Sequence, residues 1–212
     1  MEPIDLETAG FTISGAQSSR RIHGSLEAIT DSERRALRSI GLTAREAAAR
    51  TGRLLDELFA LPSVRIFQGV LPAGAGSPRI PYVINAGRRV LLVESVAWPP
   101  GRYRTSAAGR VYCDGAYIGQ SIQPLVAMVR HWRTILPDCH LVSAVIVVHR
   151  TARGELALPA PRTQDLAWVT AENAVHNIWT DLPPGRAPVS LRAVATLIAA
   201  TTMEATTMEE NQ

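Results

Sequence analysis

The sequence lacks lysine: all 22 basic side chains among its 212 residues are arginine. This excludes every mechanism with an obligatory lysine, including the phosphate-loop lysine, the Schiff-base lysine and the serine–lysine dyad. Arginine does not substitute in these roles, because its guanidinium stays protonated and acts as a clamp, not as a nucleophile or base. Only two cysteines are present, Cys113 and Cys139, so a disulfide framework is not expected and a four-cysteine zinc site is impossible. Aromatic residues make up 5%. No apolar run reaches the roughly 18 residues of a bilayer span. Met1 to Asp5 shows no basic and apolar leader pattern, so a cytoplasmic protein is expected. The abundance of Ala, Arg, Pro and Gly is what GC-rich bacterial coding produces.

Nearly half of the chain is apolar (46%), which suits one folded domain and not a disordered chain. The net charge of +3 is unevenly distributed. Residues 1–19 hold three acids and no arginine; residues 20–110 hold 15 arginines against 7 acids; residues 111–212 hold 7 against 9. A basic first half can meet phosphates or an acidic partner.

Residues 1–29, rich in Ser, Gly and Thr, are expected to be a flexible lead-in, residues 30–200 a single α/β domain, and residues 201–212 a disordered tail. Thr30-Asp31-Ser32-Glu33 fits a capping box ahead of a short helix, Arg34 to Ile40. Thr43-Ala44-Arg45-Glu46 fits a second, opening a helix over about 44–60. Strands are expected at Val64–Val70, Ile80–Asn85 and Val90–Ser95, and a hairpin at 102–105 and 110–113. Ile122, Leu125, Val126, Val129, Trp132 and Leu136 mark an amphipathic helix, and Leu141 to His149 a second buried strand. Leu156 and Leu158, then Leu166 to Val169, are weaker strand candidates. Thr170 and Ser190 can cap two further helices. A helix between two buried strands predicts a central mixed sheet flanked by helices.

Ile80-Pro81-Tyr82-Val83-Ile84-Asn85 and Val93-Glu94-Ser95-Val96-Ala97-Trp98 together resemble the two strand motifs of the nuclease-related domain (NERD) family, within the PD-(D/E)xK, restriction-endonuclease-like class. Arg50 to Asp56, the hairpin, the amphipathic helix and the strand ending in Val147-Val148-His149 extend the resemblance over about residues 44–180. The resemblance implies a metal-dependent nuclease fold, and it also exposes departures. Such a nuclease holds Mg²⁺ with two acids and orients water with a lysine. Pro81 stands at the metal-binding Asp position, Val96 at the lysine position and Ala48 at the helix-borne Glu position. Glu94 alone remains, with Gln123 or Gln120 as a possible polar helper. One carboxylate does not hold Mg²⁺ against its water shell. The expectation is a nuclease fold without hydrolytic chemistry and without a metal or other cofactor, Mg²⁺ being needed only by a residual nuclease. An alternative place for Glu94 is an ion pair with Arg102 or Arg104.

Three functions fit: a non-catalytic binding module, a nucleic-acid binder contacting phosphates through Arg88, Arg89, Arg102, Arg104 and Arg110, or a protein scaffold. Leu37 to Gly52 also has the outline of half a helix-turn-helix. His23, His131, His140, His149 and His176 show no metal-ligand spacing, and Cys113 and Cys139 have no nucleophile motif. Trp98, Trp132, Trp168 and Trp179 are expected to pack in the core or beneath a lid.

Overall fold

A computed structural model describes residues 22–31, 35–61, 63–71, 78–139, 141–159, 165–181 and 189–202. Ten strands and four helices follow in chain order: β1 (Ile22–Gly24), α1 (Ala44–Leu55), β2 (Val64–Val70), β3 (Ile80–Ala86), β4 (Arg89–Trp98), β5 (Gly101–Thr105), β6 (Arg110–Cys113), β7 (Ala116–Ser121), α2 (Gln123–Ile135), β8 (Leu141–Arg150), β9 (Leu156–Ala157), β10 (Leu166–Thr170), α3 (Ala174–Asp181) and α4 (Leu191–Thr202). Six strands form the main sheet in the order β1-β2-β3-β4-β8-β10. β2, β3 and β4 run antiparallel to one another, whereas β4, β8 and β10 run parallel, and β1 lies parallel to β2. A second sheet has the order β7-β6-β5-β9. The molecule is thus α/β with mixed sheets flanked by helices. No described helix is long and apolar enough to cross a membrane.

The pattern of β4 explains the layers. It is buried from Val90 to Trp98, as a central strand covered on both faces must be. Val90, Leu92, Val96 and Trp98 join the core beneath α2 and α4, with Leu125, Val129, Trp132, Ala193 and Leu197. Leu91 and Val93 point to the other face and meet the core beneath α1 and α3, with Ala48, Leu55, Ala174 and Ile178. Residues 94 and 95 therefore face opposite layers. α1 begins at the expected capping box: Thr43 Oγ1 accepts from the Glu46 amide at 3.2 Å, and Glu46 Oε2 accepts from the Thr43 amide at 2.8 Å. α1 lies close on the sheet at Gly52, where a Cβ would come within 2.3 Å of the Tyr82 hydroxyl oxygen. That hydroxyl donates to the Ala48 carbonyl at 2.9 Å.

β3 and β4 pair only from Tyr82–Val93 to Ala86–Arg89. The ladder stops at Pro81, because the Ser95 amide that would continue it bonds to Glu94 Oε1. β4 continues to Trp98 on β8 alone. Residues 35–41 take over the vacated edge. The Ile40 amide donates to the Ala97 carbonyl at 2.7 Å, and the Ala97 amide donates to Ser39 Oγ at 3.0 Å.

Several expected elements differ. Residues 35–40 of the expected Arg34–Ile40 helix are irregular, with bends at 36, 37 and 40, because the Ile40 amide bonds to the β4 edge and the Arg38 backbone to the Gln120 and Trp98 side chains. The Thr30–Glu33 capping box lies partly outside the described residues. α1 runs unbroken through Thr51 and Gly52, so the half helix-turn-helix has no turn there; it ends at Leu55, and Asp56–Ala60 is a 3₁₀ turn. The lead-in contains β1, whose His23 ring stacks on Phe67 at 5.1 Å. Of the expected tail, Thr201 and Thr202 belong to α4, their hydroxyls donating to the Ile198 and Ala199 carbonyls; residues 203–212 lie outside the described residues. β7 was not expected. Ser190 caps α4, its Oγ accepting from the Ala193 amide at 3.2 Å.

Candidate functional site

Glu94 lies on the α2 side of β4, 6% exposed. Its Oε1 accepts from Arg35 Nη2 in a buried ion pair and from the Ser95 amide at 3.1 Å. Arg35 Nη1 also donates to the Arg79 carbonyl at 3.2 Å. Burial pushes the Glu94 carboxyl above its ordinary range, and Arg35 opposes that push. The carboxylate thus satisfies a strand amide that β3 leaves open beyond Pro81. The partner is Arg35, not Arg102 or Arg104, which are exposed on β5.

The other positions expected around Glu94 do not form a metal site. Val96 is fully buried on the same face, with nothing to offer a phosphate. Pro81 is buried beside the end of the β3–β4 ladder. Ala48 is buried on the opposite face of the sheet. Gln120 exchanges two hydrogen bonds with the Arg38 backbone, accepting from its amide at 2.9 Å and donating to its carbonyl at 3.1 Å. Trp98 Nε1 donates to the same carbonyl at 2.9 Å. Gln123 is exposed at the start of α2, against Gly109 of the hairpin turn. No group of three His, Cys, Asp or Glu side chains able to hold a metal occurs among the described residues.

The five arginines proposed for phosphate contact separate into two sets. Arg88 and Arg89 stand at the start of β4, and Arg102, Arg104 and Arg110 are exposed on the second sheet beyond its end. At a rise of about 3.3 Å per residue, β4 puts roughly 30 Å between them. No small ligand spans that gap; an extended polyanion does. Arg110 lies over the ring of Tyr117, 5.9 Å from its centre, and Tyr117 is 52% exposed. Trp98, Trp132 and Trp168 are core residues as expected, with Trp98 stacked on Tyr103 at 4.6 Å; Trp179 is exposed on α3 instead. Burial pushes the Cys139 thiol up, away from the thiolate, and the Cys113 thiol faces Asp114 Oδ2 at 3.7 Å.

Ser95, on the other face of β4, belongs to a second polar group. Its Oγ donates to Thr51 Oγ1 at 2.9 Å, and Thr51 Oγ1 lies 2.8 Å from His149 Nε2. Thr51 Oγ1 donates to Nε2 when the ring hydrogen is on Nδ1 and accepts from it in the other tautomer. Burial, reinforced by Arg50 and then Arg53 against the opposing pull of Glu172, pushes His149 down to about 4, so it is uncharged at neutral pH. Ser95 and Thr51 are 1% and 0% exposed, which removes both as nucleophiles. His149 reaches a surface recess of about 410 Å³, also lined by Arg50, Arg150, Thr151, Arg153 and Glu172.

The sequence expectations named neither Arg35 nor this second group. A signal was present. Arg50 and Arg53 are three residues apart, hence neighbours on one helix face. His149-Arg150-Thr151-Ala152-Arg153 is a basic run where an apolar strand ends. Nothing in one sequence says that these two stretches meet. Comparison with family models, with curated proteins and with solved structures returns no match for the chain.

Proposed function

We propose that the chain is a non-catalytic binding module on a restriction-endonuclease-like α/β scaffold. The reading is carried by one observation: the last carboxylate of the nuclease-like strand is buried against Arg35 beneath residues 35–41. A metal ion there would have to displace a guanidinium and open a hydrogen-bonded strand edge, with no second acid to help among the described residues. The order helix, three antiparallel strands, helix, parallel strand supports the scaffold half of the reading.

The test is incubation of the purified chain with supercoiled, linear and single-stranded DNA in Mg²⁺ and in Mn²⁺. No cleavage is expected. Cleavage that disappears in Glu94→Gln, with that variant's circular dichroism unchanged, would overturn the reading.

A second reading, nucleic-acid binding, is favoured by the exposed Arg102, Arg104 and Arg110 beside the exposed Tyr117 ring. Arginine neutralises phosphates and an aromatic face stacks bases. Its signature is affinity for single-stranded DNA that falls with salt, the slope of log affinity against log salt shrinking by about 1 for each arginine replaced by alanine. Binding indifferent to salt would remove it.

A further inference from the structure

The recess at His149 sits at the carboxyl ends of parallel strands. β8 ends at Arg150 and its parallel neighbour β10 at Thr170. The chain leaving β8 lines one wall through Thr151, Ala152, Arg153 and Gly154; the chain leaving β10 lines another through Ala171 and Glu172; Arg50 reaches in from α1. In open α/β sheets this end of parallel strands is where ligands dock, because the loops diverge there and leave a crevice.

The wall is positively charged beyond its own needs. Arg150 is committed: it pairs with Glu172 at 2.6 Å and donates to the Gly154 carbonyl at 3.1 Å. Arg50 and Arg153 are exposed and make no salt bridge among the described residues, Arg50 acting at longer range on Glu46 one turn back, and Arg53 adds its charge from one turn along α1. Three arginines thus line a recess that holds one glutamate.

A second observation points to the same ligand. His149 is 94% buried (6% exposed), its Nε2 is bound by Thr51, and its Nδ1 has no hydrogen-bond partner among the described residues. With Thr51 donating to Nε2, the ring hydrogen sits on the unpartnered Nδ1, which is then an N–H donor. An N–H fixed from behind, beside two guanidiniums that make no salt bridge, complements an oxyanion.

We propose that this recess binds a phosphate monoester, with Arg50 and Arg153 neutralising its charge and His149 Nδ1–H donating to one of its oxygens. A monoester carries close to two negative charges near neutral pH and matches two arginines; a carboxylate carries one. The recess has the volume of a small-molecule site, open to solvent and bounded by two loops and α1, unlike the long track that a polynucleotide follows. The Ser95 and Thr51 hydroxyls are buried behind the histidine and do not reach a bound phosphoryl group. In this respect the site rests on the reading of the chain as a binding module, but it does not depend on Glu94.

The experiment is calorimetric titration of the full chain with inorganic phosphate, with adenosine 5′-monophosphate and with a single-stranded oligonucleotide. A one-dimensional NMR titration of the histidine ring protons accompanies it. Saturable binding of phosphate and of the monophosphate is expected, with a His149 ring signal shifting in step. Arg50→Ala and Arg153→Ala should each weaken both by roughly tenfold, the scale of one charge-assisted contact, while Arg102→Ala leaves them unchanged. Absence of phosphate and monophosphate binding at 10 mM concentrations (about −2.7 kcal/mol, too weak to matter) overturns the proposal. So does binding indifferent to both arginine variants, or binding of the oligonucleotide alone. Release of inorganic phosphate from the monophosphate, lost in Arg50→Ala, would overturn the non-catalytic reading and uphold the pocket.

Discussion

Glu94 and Ser95 are adjacent on one strand and serve opposite ends. Glu94 faces the α2 layer, where Arg35 and the Ser95 amide take up its carboxylate. Ser95 faces the α1 layer, where its hydroxyl starts a chain of two hydrogen bonds that ends on a histidine lining an open recess. Both are buried polar groups in the same sheet, one residue apart. One is closed on both sides by the fold, and the other leaves a donor unused. Burial of a polar group is therefore no evidence of a site by itself; what counts is whether its hydrogen-bonding capacity is exhausted inside.

The widest separation between the two sides should come from Arg35→Ala. It strands the Glu94 charge in the core and should cost about 3–5 kcal/mol in urea denaturation. Arg35→Met combined with Glu94→Leu removes both charges and should recover most of that loss. A cost below about 1 kcal/mol for the single variant would mean that Glu94 finds water, and the contrast with Ser95 would collapse.

A pH series isolates the other side. His149 is held at about 4 in the fold against an ordinary value of 6.5. Between these values the unfolded chain binds more protons, so the stabilisation is complete above pH 6.5 and is lost as the pH falls toward 4. The loss attributable to this ring should be about 2 kcal/mol, allowing for solvent screening at the recess mouth. It reads out as the part of the pH dependence of the urea midpoint that His149→Gln removes. Identical pH profiles for the two proteins would show that the ring is not held neutral by its surroundings.

The smallest effect belongs to Gln120. Gln120→Ala removes both hydrogen bonds to the Arg38 backbone and should cost about 1–2 kcal/mol in thermal or urea unfolding. It should also raise amide hydrogen exchange at Ile40, whose N–H covers β4, without changing exchange in α1. Unchanged exchange at Ile40 would separate the Gln120 clamp from the edge cover.

The strands that build the central sheet were legible because their signals are local. Val90 to Ser95 and Leu141 to His149 are apolar runs bounded by turn residues, and both are central strands in the structure. The α2 stripe of Leu125, Val129 and Trp132 also faces the core as its spacing predicts. The failures are non-local. Residues 35–40 were read as helical from a capping pattern and apolar Leu37, but an edge 50 residues and more along the chain captures their backbone. β7 was missed because exposed Ala116 and Tyr117 and the interior Gly119 blur its alternation. Arg102 and Arg104, the expected partners of Glu94, are close to it in sequence, whereas Arg35 lies 59 residues away. Departures at Pro81, Val96 and Ala48 were visible residue by residue; what filled the space they left was not.

The early end of the β3–β4 ladder has one more effect. It leaves Ser95 to Trp98 with backbone groups on one side that β3 does not claim, in a mostly apolar stretch. Such an edge is a template on which a strand from another molecule can grow, the first step toward insoluble assemblies. Ser39 and Ile40 occupy it with a side-chain oxygen and a single amide, in a bent conformation that offers no regular strand for the next chain to copy. The segment that blocks access to Glu94 is thereby also what keeps the molecule's most adhesive border from meeting its own kind.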